Sequence, residues 1–414
     1  MNDATYPPVP TRHGSQPDAW LPFVKPLRAL MGDRTLPDGA LMAQFGTQLR
    51  AGDPAMDTLV AWMFDTGISA TKPLFMRALE QGIDQVADAP PPLRAFFAGI
   101  ETPPDWVDAQ QLARGADAAA MLGEPLLNGL RDYVLMGGYL SSSINEVLAR
   151  SGGLEAGPVK RLAETTQWFL DVTAPGGLDR FAPGFIATVR VRWVHALVRR
   201  HLSRQPDWDM DHHGLPINQT DMIVTWLGFA LAGPLSALLQ GQLVLTRADM
   251  KAYLHLHKYA HWLMGVDPDA LSDDLAHCAW LLANNTLTQP GPSPVSLRMA
   301  RALADYKLAQ NYARFGAVRK HWERHVQLSR SRFFLGRQSM ASLGLESHPL
   351  PWAPLAEWPG RAVSSVARRF LPGLRGQLIR SGRQRQRELL DAVYLGLDRH
   401  WAPERNSRVA ANVS

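Results

Sequence analysis

The chain has 414 residues, 46% of them apolar and 20% charged, with a net charge of +5. This composition describes a globular protein able to bury a large core, as one large helical domain with appendages or as two domains. Its single cysteine, Cys278, excludes a disulfide framework, thiolate clusters for iron–sulfur or zinc, and covalent c-type haem attachment, and it fits a reducing compartment.

Residues 1–18 are Pro-rich and polar and read as a loose N-terminal arm. They hold no apolar h-region, so a cytoplasmic protein is expected. Beyond them, long helical patterns dominate and alternating β-type runs are scarce, which predicts an all-α fold. Residues 19–345 form the predicted main helical domain, and 346–414 a basic helical extension.

In Val159–Leu170, Arg161 and Thr165 stand one helical turn apart and share a face. Phe185–Leu202 has no Gly or Pro and predicts several turns of helix, on which Val191, Val194, Val198 and Leu202 form an apolar stripe with His195. Arg192 and Arg199, one heptad apart, flank His195 on its other side. A lone histidine on an apolar helix face is more often a satisfied core residue, and arginines beside it usually pair with buried carboxylates. The alternative is a ligand site. A neutral imidazole between an apolar seam and two guanidiniums suits a large, flat, apolar ligand with carboxylates at one edge, and haem has that shape.

From Met222 to Thr246 there is no charge, a length sufficient to cross a bilayer. Gly233-Pro234 would break a helix midway, and Gln240 and Gln242 would be unsatisfied in lipid, so two buried helices joined at Gly233-Pro234 are expected. Thr225, Phe229 and Ala232 share one face there. His257 and His261, and His321 and His325, are i,i+4 pairs that could in principle build a metal site, but no Glu-x-x-His pattern accompanies them and they read as structural or surface groups. Between Arg361 and Arg387 there are eight arginines and no acidic residue, with Val363, Val366, Phe370, Leu374 and Ile379 as a rough apolar face. Such a segment can touch an anionic membrane surface, though packing on its own domain is commoner. No nucleic-acid module accompanies it, and no nucleic-acid partner is expected. Hydrolase elbow, P-loop and dinucleotide fingerprints are absent from the sequence.

The ordered set Arg161-x3-Thr165, Arg192-x2-His195-x3-Arg199 and Pro216-Ile217-Asn218-Gln219, with the early Gly52-Asp53-Pro54-Ala55-Met56-Asp57 segment, resembles the latex clearing protein (rubber oxygenase) and mpaB-type oxygenase family over roughly residues 40–340. The resemblance implies a single helical haem-binding domain with a globin-like helical core. It implies b-type haem (heme b, iron) ligated by His195, with Arg161 and Thr165 on the distal side and Arg192 and Arg199 near propionates or neighbouring carboxylates. The implied reaction adds dioxygen across an alkene. Glu146 is the nearest candidate for the family's acid–base glutamate, and Glu164 stands where the family carries a lysine that can cap the iron. A hydrophobic small-molecule or lipid-like substrate is expected rather than polymeric rubber, with peripheral membrane contact through 361–387 as a further partner surface. A haem- or lipid-binding helical protein without turnover is the alternative.

Overall fold

The computed structural model describes residues 8–153, 158–310, 315–345, 350–371 and 373–393, and the regular structure among them is entirely helical. Side-chain caps start many of these helices, as the sequence chemistry requires. Asp53, Asp108, Asn218 and Asp274 accept from backbone N–H groups of the first turn, at 3.3, 2.7, 3.0 and 2.7 Å. Thr246 and Asp249 form a reciprocal capping box (3.1 and 2.9 Å).

The helix that carries His195, Pro183–Leu202, is central. It packs against the Arg161 helix (Pro158–Val172), the Pro54–Thr66 helix and the Arg247–Leu263 helix. Trp193 is fully buried on it, with its ring 5.3 Å from that of Phe75. The Ala109–Gly129 helix crosses Arg247–Leu263 so closely that a Cβ on Gly115 would lie 2.4 Å from the Ala252 carbonyl oxygen.

Among the described residues three π-helical turns interrupt the bundle, at Leu130–Leu135, Ala149–Gly153 and Gly228–Ala232. The third corrects the expected break. The chain does not stop at Gly233-Pro234; a wide turn precedes Pro234, which takes an early position in the next helical stretch, where its missing N–H matters least. The resulting Gln219–Leu239 helix is long and apolar enough to cross a membrane by length and composition, yet 67% of its most apolar stretch is buried against the rest of the protein.

Both ends of the described chain are fastened, contrary to the expectation of a loose arm. Thr11 N–H donates to the Asp211 carbonyl (2.9 Å) and Gly14 N–H to that of Thr288 (3.0 Å). Arg12 is 1% exposed and donates to Asp221 (2.7 Å) and to the His213 carbonyl (2.9 Å). The basic C-terminal segment packs on its own domain. Gln386 donates to the Ala119 carbonyl (3.0 Å), Arg383 pairs with Asp117 (2.9 Å) and Arg375 with Asp249 (3.0 Å). Gly382 sits so tightly on the Ala109–Gly129 helix that an added Cβ would overlap the Ala120 carbonyl oxygen. Residues 1–7, 346–349 and 394–414 of the expected arm and extension lie outside the described residues.

Candidate active site

A cavity of about 590 Å³ opens beside the His195 helix. Its wall is mostly apolar: Val191, Val194 and Val198 contribute the stripe read from the sequence, and Trp168, Phe169 and Phe229 close it with aromatic faces. Thr225, Phe229 and Ala232, expected on one face, all line it. Residues from each π-helical turn also reach the wall, among them Tyr133, Ser151 and Gly228.

His195, Arg161 and Thr165, drawn from two helices, meet in this cavity. Burial pushes the His195 imidazole down to about 3, with Arg199 and Arg161 adding repulsion, so it is neutral across the physiological range. Its Nδ1 is buried without a hydrogen-bond partner among the described residues. Arg161 also has its pKa lowered by burial, with the Tyr139 hydroxyl and Glu164 opposing that shift. The Arg161 guanidinium lies within electrostatic reach of Glu164 and of Tyr139, whose hydroxyl burial pushes up to about 12. Glu164 lines the same cavity.

Of the two expectations for Arg192 and Arg199, cofactor propionates or neighbouring carboxylates, the structure shows the second. Neither lines the cavity. Arg192 grips Asp53 with Nε and Nη2 (2.5 and 2.8 Å), and Arg199 holds Asp57 through Nε (3.0 Å) and the Ile217 carbonyl through Nη1 (2.8 Å). The physical reason is register: carboxylates at i,i+4 on one helix meet arginines at i,i+7 on another. Two glycines make room for them. A Cβ on Gly52 would come within 2.5 Å of Asp57 Oδ2 and 2.9 Å of Arg199 Nε. Gly265, at φ +91°, faces Asp53 and Arg192 just as closely. Gln219 ties the remaining pieces together, donating to the carbonyls of Gly52 (2.7 Å) and Gly265 (2.9 Å). The Gly52–Asp57 and Pro216–Gln219 segments thus belong to one buried clamp behind His195.

Glu146 is not in the cavity wall; its carboxylate lies 3.7 Å from Arg150 Nε, on the same helical side one turn away. The histidine pairs also separate. His321 and His325 are exposed, whereas His257 is fully buried and His261 lines the cavity. His261 Nδ1–H donates to the His257 carbonyl (2.8 Å), which leaves Nε2 as its acceptor; burial holds this imidazole down to about 4. The sequence pattern offered His261 only as half of an i,i+4 pair read as structural or surface groups, whereas the structure places it in the cavity wall. Cys278 is buried outside the cavity, its thiol pushed up to about 12 by burial, and is no candidate ligand.

Among the described residues no group of three or more His, Cys, Asp or Glu is placed to hold a bare metal ion. Of the two neutral imidazoles on this apolar chamber, His195 is the less buried; such a group suits a metal that brings most of its own ligands, and His195 is the residue that could hold it.

The chain resembles known proteins in sequence and in shape. Residues 114–369 match the family model described as ER-bound oxygenase mpaB/B'/Rubber oxygenase, catalytic domain. The rubber oxygenase of Streptomyces sp. (strain K30) is 29% identical over 242 residues, which is 56% of this chain and 56% of that protein. The match thus spans little more than half the length of this relative. The structure of latex clearing protein in its closed state superposes with a TM-score of 0.62 at 21% identity, covering 90% of this chain and 95% of the other, and shows a shared helical fold. With the family model spanning well over half of its length, the chain belongs to the mpaB and rubber oxygenase catalytic-domain family.

Proposed function

We propose that this protein is a b-type-haem-dependent oxygenase that uses dioxygen to cleave an apolar, isoprenoid- or lipid-like alkene. The observation that carries the proposal is the pairing, in one largely apolar cavity, of a neutral His195 with the buried guanidinium of Arg161. The residues fit the cofactor: a free imidazole for iron, apolar walls for the macrocycle, and a guanidinium for an oxygen or a propionate. Arg192 and Arg199 are already matched by Asp53 and Asp57, so they support the His195 helix rather than the cofactor.

Haem, when bound, would supply the activation of dioxygen. The chain supplies the rest. His195 keeps its lone pair available because burial disfavours protonation. Arg161 offers fixed donors where negative charge develops on oxygen, in a chamber where water does not compete, and Thr165 adds a hydroxyl. The valine stripe and the Trp168, Phe169 and Phe229 faces hold the alkene and exclude water. The net reaction, one C=C and one O2 giving two C=O groups, needs no further co-reactant.

The testing experiment supplies the purified haem-loaded protein with a soluble isoprenoid alkene and follows oxygen uptake with carbonyl formation. Equal uptake and product support the proposal; haem-loaded protein that forms no carbonyl product from any chain length tried would reduce it to haem binding.

A further inference from the structure

A second cavity, of about 300 Å³, lies among the Ala109–Gly129, Pro294–Ala309, Gly316–Ser342 and Trp352–Phe370 helices. Arg131 stands in the walls of both cavities. The chemistry of the second is opposite to that of the first, because charged side chains make up most of its lining.

Its cations are not all satisfied. Arg131 is: Asp132 takes its Nε and Nη2 (2.5 and 2.7 Å), and the Tyr306 hydroxyl oxygen accepts from Nη1 (3.0 Å). Arg330 is not. Only 8% exposed, it donates through Nη2 to the two oxygens of Glu357 (2.9 and 3.2 Å), and its Nε–H is buried without an acceptor among the described residues. Glu357 is also shared with Arg361, at 3.0 Å. Lys307 Nζ lies 4.0 Å from Glu323, beyond hydrogen-bond reach, and 5.1 Å from the centre of the Tyr306 ring. Glu323 in turn lies 3.6 Å from Arg319. The last carboxylate, Glu124, accepts from Asn128 (3.0 Å). Lys307 and Arg330 therefore stand in the wall of one partly open pocket, and the Nε–H of Arg330 is buried without an acceptor among the described residues. A buried donor left without an acceptor costs more than a formed bond returns, so the pocket is built for an acceptor that comes from outside the chain.

The rest of the lining describes that molecule. Trp322 and Trp352 lie with ring centroids 5.4 Å apart and, with Val326 and Leu389, add an apolar wall. The volume is at the small end of ligand pockets. We propose that this pocket binds a small organic monocarboxylate, its carboxylate between Lys307 and Arg330 and its hydrocarbon or aromatic part against Trp322 and Trp352. The site is independent of the oxygenase reading.

Calorimetric titration of the full-length protein with phenylacetate, at fixed ionic strength, tests this. Saturable 1:1 binding is expected, weakened at least tenfold in Lys307→Gln and in Arg330→Gln and unchanged in Arg161→Gln, which alters only the large cavity. Among the described residues the Lys307 side chain makes no direct hydrogen bond, so Lys307→Gln is expected to fold even where Arg330→Gln does not. Absence of saturable binding, or affinity retained in Lys307→Gln, would overturn the proposal. So would loss in Arg161→Gln, which would move the acid to the large cavity. Inorganic phosphate or benzylamine binding as tightly as phenylacetate would also overturn it, by showing a simple anion site or a carboxylate-led cation site.

Discussion

Arg192 and Asp53, 139 positions apart in the sequence, meet through two side-by-side hydrogen bonds of 2.5 and 2.8 Å, both residues almost wholly buried. The pair fastens the His195 helix to the start of the Pro54–Thr66 helix, which Asp53 also caps. Removing one partner strands the other charge in the interior. Asp53→Ala should therefore destabilise the protein by about 3–5 kcal/mol, the usual cost of breaking a buried ion pair. Urea unfolding measures it, and a loss below about 1 kcal/mol would show that the clamp is dispensable.

The separation of Glu146 from the cavity gives a second test. In haem-loaded protein, Arg161→Ala should keep the cofactor but slow turnover by about 100-fold or more, the scale on which a charge-stabilising donor acts. Glu146→Gln should leave turnover within about twofold, since its carboxylate sits beside Arg150 instead. A wild-type rate in Arg161→Ala would remove that residue from the mechanism.

How much of this the sequence showed depends on the range of the contacts. The stripe Val191, Val194 and Val198 around His195 was legible, because helical periodicity is local and the cavity lies along it. So was the shared face of Arg161 and Thr165. The partners of Arg192 and Arg199 were not legible as such, since nothing in the helix points to carboxylates on a distant one. Residues 8–16 looked loose by composition, but Arg12 is held by Asp221, 209 positions away. Gly233-Pro234 looked like a break because the sequence does not reveal the wider turn that accommodates the proline.

The core histidines His195, His257 and His261 set an acid limit on stability. In the unfolded chain each takes a proton near pH 6.5, whereas burial holds His261 down to about 4, His195 to about 3 and His257 well below its usual value. Between those points the unfolded chain binds more protons, so their contribution is complete above pH 6.5 and is lost as the pH falls toward 4. Each should contribute a slope of about 1.4 kcal/mol per pH unit in that window. Urea midpoints of the haem-free protein between pH 7 and 4.5 check this, and the slope should flatten in His257→Phe. An unchanged slope there would assign the acid sensitivity to other groups.

The N-terminal strap yields a further expectation. Arg12 neutralises Asp221, which itself lines the large cavity. Arg12→Ala should cost about 3–5 kcal/mol by leaving that carboxylate buried and unpaired. Restored stability in the double variant with Asp221→Asn would confirm that the loss is one of charge; equal instability in the double variant would trace it to packing.

The most direct test of the account is the absorption spectrum of full-length protein produced with a haem precursor and iron, measured beside His195→Ala. A Soret band is expected in the wild type that disappears or shifts in the variant, while circular dichroism shows the same helical content in both. Absence of that band even after reconstitution with haemin, or an identical band in His195→Ala, would contradict it.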